Sequence, residues 1–132
     1  YVNERWLGGT LTNFSVLAKR LEYLKELEKK KETGELEKYT KKERHEIDIE
    51  LRKLNQKFGG IKEMTKLPDA LFISDIREDS LAAKEAKRKD IPTVGLCDTN
   101  TDPSTVDYPI PANDDASSSL RLMVGAVVGV LK

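Results

Sequence analysis

The chain has 132 residues, with 23 basic and 23 acidic side chains, one His, one Cys and 38% apolar residues. That length supports one ordinary domain rather than two, and a net charge of zero excludes a simple, highly basic nucleic-acid arm. The lone Cys97 excludes an intrachain disulfide framework and any multi-cysteine zinc site, and it fits a reducing compartment. No apolar run approaches a membrane span; the longest, Val124 to Leu131, is interrupted by Gly125 and Gly129. No N-terminal stretch has signal-peptide anatomy, and a first residue of Tyr rather than Met points to a piece of a longer chain.

Charge is balanced in total but not along the chain. Residues 1–67 hold 16 Lys and Arg against 12 Asp and Glu, whereas residues 68–132 hold 7 against 11. The asymmetry points to two parts in different surroundings, the first tolerant of an anionic partner.

Residues 1–10 read as the end of a strand and a glycine-containing lead-in loop. Residues 11–66 read as a helical hairpin. Leu11, Phe14, Leu17, Leu21, Leu24 and Glu28 follow a 3-and-4 spacing, with Leu27 beside the seam, which marks one apolar face on a long helix. Thr10 or Thr12 is placed to cap its start and Gly34 to stop it, after Lys29, Lys30 and Lys31, which suit the negative end of a helix dipole. Thr40-Lys41-Lys42-Glu43 is a capping box that opens a second helix, striped by Ile47, Leu51, Leu54, Phe58 and Ile61. Two such stripes joined by a short polar turn predict an antiparallel coiled coil, roughly 30 Å long for helices of about twenty residues.

From residue 67 to 132 the period changes. Ala70 to Ser74 and Thr93 to Cys97 are short apolar runs, and Tyr108-Pro109-Ile110 is a third. A helical stretch runs from Ser80 to Lys89, and a final helix from about Asp115 through Val127. This order predicts an α/β core with a parallel, Rossmann- or flavodoxin-like sheet. With only two or three strands the sheet is partial, and further strands are expected N-terminal to Tyr1.

Asp75, Asp98, Asp102, Asp114 and Asp115 fall after predicted strands or at a helix start, where open α/β sheets place their ligand sites. One reading is a phosphate- or metal-dependent enzyme using Asp75 and Asp98 as ligands. The preferred reading is turn and cap chemistry, with Asn113-Asp114-Asp115 capping the last helix; no glycine-rich phosphate loop accompanies the acids. His45 lies off the apolar seam and reads as a surface residue, and Cys97 as strand core. Trp6 and Phe14 read as core rather than as base-stacking rings. No catalytic residue, metal ligand or cofactor is assigned.

Arg5, Lys19, Arg20, Lys29, Lys30, Lys31, Lys38, Lys41 and Lys42 concentrate at the start and tip of the hairpin. Lys and Arg that converge on a phosphate backbone bind it salt-dependently and without regard to sequence. Interleaved Glu residues weaken that signal, and a solvated hairpin, or a module seeking a partner helix, accounts for the same charges.

Arg5-Trp6-Leu7-Gly8-Gly9-Thr10-Leu11-Thr12-Asn13 resembles the R-W-x-G-G-x-L-T-N signature of the bacterial-type small-subunit ribosomal protein S-two family. Thr40 to Glu43, Gly59 to Met64, Leu67 to Phe72, Asp98 to Pro103 and Ile110 to Asp115 are similar to further motifs of that family, in order, with Ala112 where Gly is frequent. The resemblance covers the family's central and C-terminal core and omits its N-terminal portion. It implies a parallel α/β domain with a protruding coiled-coil hairpin and a structural, non-enzymatic role near the head–body junction of the small subunit. It also implies binding to small-subunit ribosomal RNA and neighbouring ribosomal proteins, docking of the large S-one protein, and no membrane or small-molecule substrate. The implied location is a ribosome, cytoplasmic or organellar. In that setting the nine basic residues become candidate phosphate contacts.

Overall fold

The computed structural model describes residues 1–2 and 4–131, and the chain divides into two compact units, Tyr1–Leu67 and Pro68–Lys132.

The first unit is built on two helices, α1 (Phe14–Glu32) and α2 (Lys41–Phe58), joined by a 3₁₀ turn at Glu35–Lys38. The described residues of 1–10 form a bend and the start of a turn, not a strand. The turn continues to residue 13, so α1 starts later than its apolar spacing predicts. Neither Thr10 nor Thr12 caps it: Asn13 occupies the cap position, its side chain bonding no backbone group, and the buried Thr10 hydroxyl donates to the Leu7 carbonyl at 2.6 Å. Leu11 is 1% exposed, yet it is buried from this turn rather than from the helix face. At the other end Gly34 takes a φ of 74°, a left-handed conformation that costs a glycine little and ends the helix.

Thr40 opens α2 with a complete capping box. Its hydroxyl accepts from the Glu43 amide at 3.3 Å, and the Glu43 carboxylate accepts from the Thr40 amide at 2.8 Å. Leu17, Leu21, Leu24, Leu27, Leu54 and Phe58 make one buried cluster, with Leu7, Phe14, Ile47, Leu51, Ile61 and Met64 packed against it. Both predicted stripes therefore meet. Lys31 reaches Asp48 at 2.7 Å while Glu28, a turn earlier, reaches Asn55 at 2.9 Å, two turns later, so the helices run antiparallel. Burying each such Leu contributes about 1.5–3 kcal/mol, which marginal helices of this polarity need.

The second unit is α/β. Strands β1 (Leu71–Ile73), β2 (Thr93–Cys97) and β3 (Tyr108–Pro111) form a three-stranded parallel sheet in the order β1-β2-β3. Helix α3 (Ser80–Arg88) makes the first crossover and packs on β1 and β2 through Ala82, Ala83 and Ala86. Small residues let it lie close to the strands. Gly95 at the centre of β2 serves the same end: a Cβ there would lie 2.8 Å from the Ile76 side chain and 3.3 Å from that of Val106.

The second crossover has no α-helix. A loop with a 3₁₀ turn at Pro103–Thr105 connects β2 to β3, and Asp107 pins its end by accepting from the Thr93 amide and hydroxyl, both at 2.8 Å. The last helix, α4 (Ser117–Val130), has Ala116 at its cap position, while Asn113 Oδ1 accepts from the amides of Asp115 and Ala116 just ahead of it. Asn113 thus shapes the approach to α4 without capping it. Cys97 is half-buried rather than core, its thiol donating to the Thr101 carbonyl at 3.4 Å.

Candidate nucleic-acid interface

The nine predicted basic residues fall into two groups. Lys29, Lys30 and Lys31 occupy the last turn of α1, Lys38 ends the 3₁₀ turn, and Lys41 and Lys42 open α2, so these six gather around the tip of the helix pair. Arg5, Lys19 and Arg20 lie outside the tip, Arg5 ahead of the glycine turn and the other two in the first half of α1.

The tip lysines are in different circumstances. Lys31 donates to Asp48 at 2.7 Å, an exposed pair that holds the Asp48 carboxyl below its usual range. Such a surface pair contributes little and exchanges readily with another anion. Lys38, Lys41 and Lys42 are exposed and Lys30 is half-buried. Lys41 and Lys42 sit at the positive end of the α2 dipole, where cations gain no local stabilisation; Glu43 offsets them. His45, beside this group, is exposed as expected.

Two further side-chain ion pairs lie away from the tip and tie α1 to the segment that follows α2. Lys25 meets Glu63 at 2.9 Å, and Lys62 meets Glu28 at 3.2 Å. Glu28 sits within the seam, and the Asn55 carboxamide, followed by Lys62 and Lys25, holds its carboxyl below its usual range.

Beside the glycine turn lies a cavity of about 170 Å³, lined by Leu7, Gly8, Gly9, Thr10, Asn13, Val16, Leu17, Arg20 and Phe58. Gly9 holds a φ of 92°, and its carbonyl accepts from the Asn13 amide at 2.9 Å, which fixes the turn against the start of α1. The sequence points to Arg20 but not to the cavity, because the cavity depends on Phe58 returning from α2 to residues about forty and more positions earlier.

In the second unit the strand-end acids shape loops. Asp75 Oδ1 accepts from the Glu78 amide at 2.9 Å, Asp98 Oδ1 from the Thr99 amide at 2.6 Å, and Asp102 Oδ1 from the Ser104 amide at 2.9 Å. The pair Asp75 and Asp98, read as possible metal ligands, is not what the fold gathers. Among the described residues the converging carboxylates are Asp98, Asp114 and Asp115, with one oxygen from each within 4.8 Å of the others. The parallel register explains this grouping, since β2 and β3 end side by side at Cys97 and Pro111. The Thr99 amide, with that of Asp114, holds the Asp98 carboxyl down; burial, with Asp75, Asp98 and Asp115 nearby, pushes that of Asp114 up. Three such oxygens suit a hard cation, but exposed acids also gather without one.

A family model described as Ribosomal protein S2 matches residues 1–131. The chain is 52% identical over 127 residues to the small ribosomal subunit protein uS2 of Roseiflexus sp. (strain RS-1), a match covering 96% of this chain and 48% of the relative. Identity to the Mesoplasma florum protein of the same name is 51% over 128 residues, covering 97% of this chain and 48% of that one. For the Mycobacteroides abscessus protein it is 49% over 131 residues, covering 99% and 47%. The chain spans about half the length of the curated relatives it matches, whose names are those of ribosomal proteins and not of enzymes. The match across nearly every residue, together with the parallel α/β unit and the helix pair, establishes that the chain belongs to the ribosomal protein S2 family.

Proposed function

We propose that this chain is part of a structural constituent of the small ribosomal subunit, and that it binds small-subunit ribosomal RNA and neighbouring ribosomal proteins in support of translation. Family membership is the observation that carries the reading. The basic tip supports it: Lys29, Lys30, Lys31, Lys38, Lys41 and Lys42 supply phosphate contacts, and Arg5, Lys19 and Arg20 supply others from outside the tip. The interleaved Glu32, Glu35, Glu37 and Glu43 restrain non-specific adhesion to other nucleic acids. Docking of the large S-one protein belongs to the same reading and rests on the family alone. The working location is the ribosome, whether of a bacterial cytoplasm or of an organelle.

Sedimentation of the tagged protein from cell lysate tests this. At high magnesium the protein is expected to migrate with the small subunit and to leave it when subunits are stripped by salt. A peak confined to the top of the gradient, free of ribosomal RNA, overturns the proposal.

A further inference from the structure

We propose that the cavity between the glycine turn and α1 receives one unpaired nucleotide of RNA, its base inside and its phosphate against Arg20; the inference rests on the RNA-binding reading above. The lining divides by burial. Leu17 and Phe58, 7% and 6% exposed, form an apolar floor, while Val16, half-exposed, and Arg20, exposed, stand at the rim. Among the described residues that line it Arg20 alone is charged, and no carboxylate faces the space, so its field favours an anion. Asn13 adds a carboxamide that caps no backbone group and offers both a donor and an acceptor to a base edge.

This combination suits a splayed-out nucleotide better than it suits a duplex. An apolar floor with an aromatic ring accommodates a planar base, and a guanidinium at the rim meets the phosphate or stacks on the ring. Tyr23, two turns beyond Val16 on α1 and 42% exposed, continues the same face, with its hydroxyl on Glu50 at 3.3 Å. The six tip lysines offer charge to a backbone, and the cavity offers a recess to a base.

Ultraviolet crosslinking of small subunits purified from cells making the protein, followed by mass spectrometry, tests the assignment. A nucleotide adduct is expected on the peptides carrying Leu7 to Arg20 or Phe58. Val16→Glu, which places a carboxylate at the exposed rim, is expected to lower its yield roughly 5- to 100-fold while the protein still migrates with the subunit, and Arg20→Gln is expected to lower it by a similar factor per molecule of protein in the subunit fraction. An unchanged adduct in both variants, no adduct at these peptides, or a crosslinked peptide of another protein in its place overturns this proposal and leaves the ribosomal reading standing. Absence of the protein from the subunit fraction overturns both.

Discussion

The two units bury their apolar residues by opposite means. Helices α1 and α2 are dominated by Lys and Glu, yet between them they bury Leu17, Leu21, Leu24, Leu27, Leu54 and Phe58. Helix α4 is far more apolar, but none of its residues is buried, and Leu122 is 69% exposed. Burial therefore follows periodicity and partnership rather than hydrophobic content. A narrow leucine seam meets a matching seam about thirty residues away, whereas α4 meets no facing stripe among the described residues. The rest of the second unit closes through small residues, Ala82, Ala86 and Gly95, that let a helix and a sheet approach closely.

Three substitutions ranked by effect sharpen that contrast. Leu24→Ala, at a side chain with 0% exposure, is expected to cost about 2–5 kcal/mol by opening a cavity in the seam. Gly95→Ala is expected to cost about 1–3 kcal/mol, because its Cβ forces Ile76 and Val106 to move. Leu122→Ala on α4 is expected to stay within about 0.5 kcal/mol. Denaturant unfolding measures all three, and a Leu122→Ala cost rivalling that of Leu24→Ala breaks the comparison.

Acid distinguishes the units more gently. The Glu28 carboxyl titrates below its ordinary 4.5 in the folded chain, so its stabilisation is fully present above that pH and is lost as pH falls through the folded value. Asp114 runs the other way. Its folded value lies above 3.8, so its contribution is fully present below 3.8 and is lost as pH rises through the raised value. Glu28→Gln is expected to flatten the loss of helix-pair stability below about pH 4.5, and Asp114→Asn to be neutral or stabilising at about pH 7. Unfolding midpoints across a pH series check both signs.

Much of this was legible in the residues. The heptad-like spacing of the leucines, the Thr40 capping box and the continuous apolar runs each carry a local physical cause, and helix pair and parallel strands follow from them. Local chemistry misled where tertiary packing decided. Thr10 has the composition of a cap but is consumed by the turn beneath it, and Cys97 lies at a strand end where the chain opens to a loop. The acid trio and the cavity join residues distant in sequence, Asp98 with Asp114 and Gly9 with Phe58, and only the register of strands and helices reveals them. Charge placed the lysines near one another, but that Lys31 already holds Asp48 depends on how the helices align.

The most direct test of the central claim is the salt dependence of binding between the protein and small-subunit ribosomal RNA, with Lys29, Lys30, Lys38, Lys41 and Lys42 changed together to Gln. Each phosphate that the tip no longer neutralises is expected to reduce the slope of log affinity against log salt by about 1, with weaker binding at every salt concentration. An unchanged slope and affinity in that variant would contradict the account and move the RNA-binding surface away from the tip.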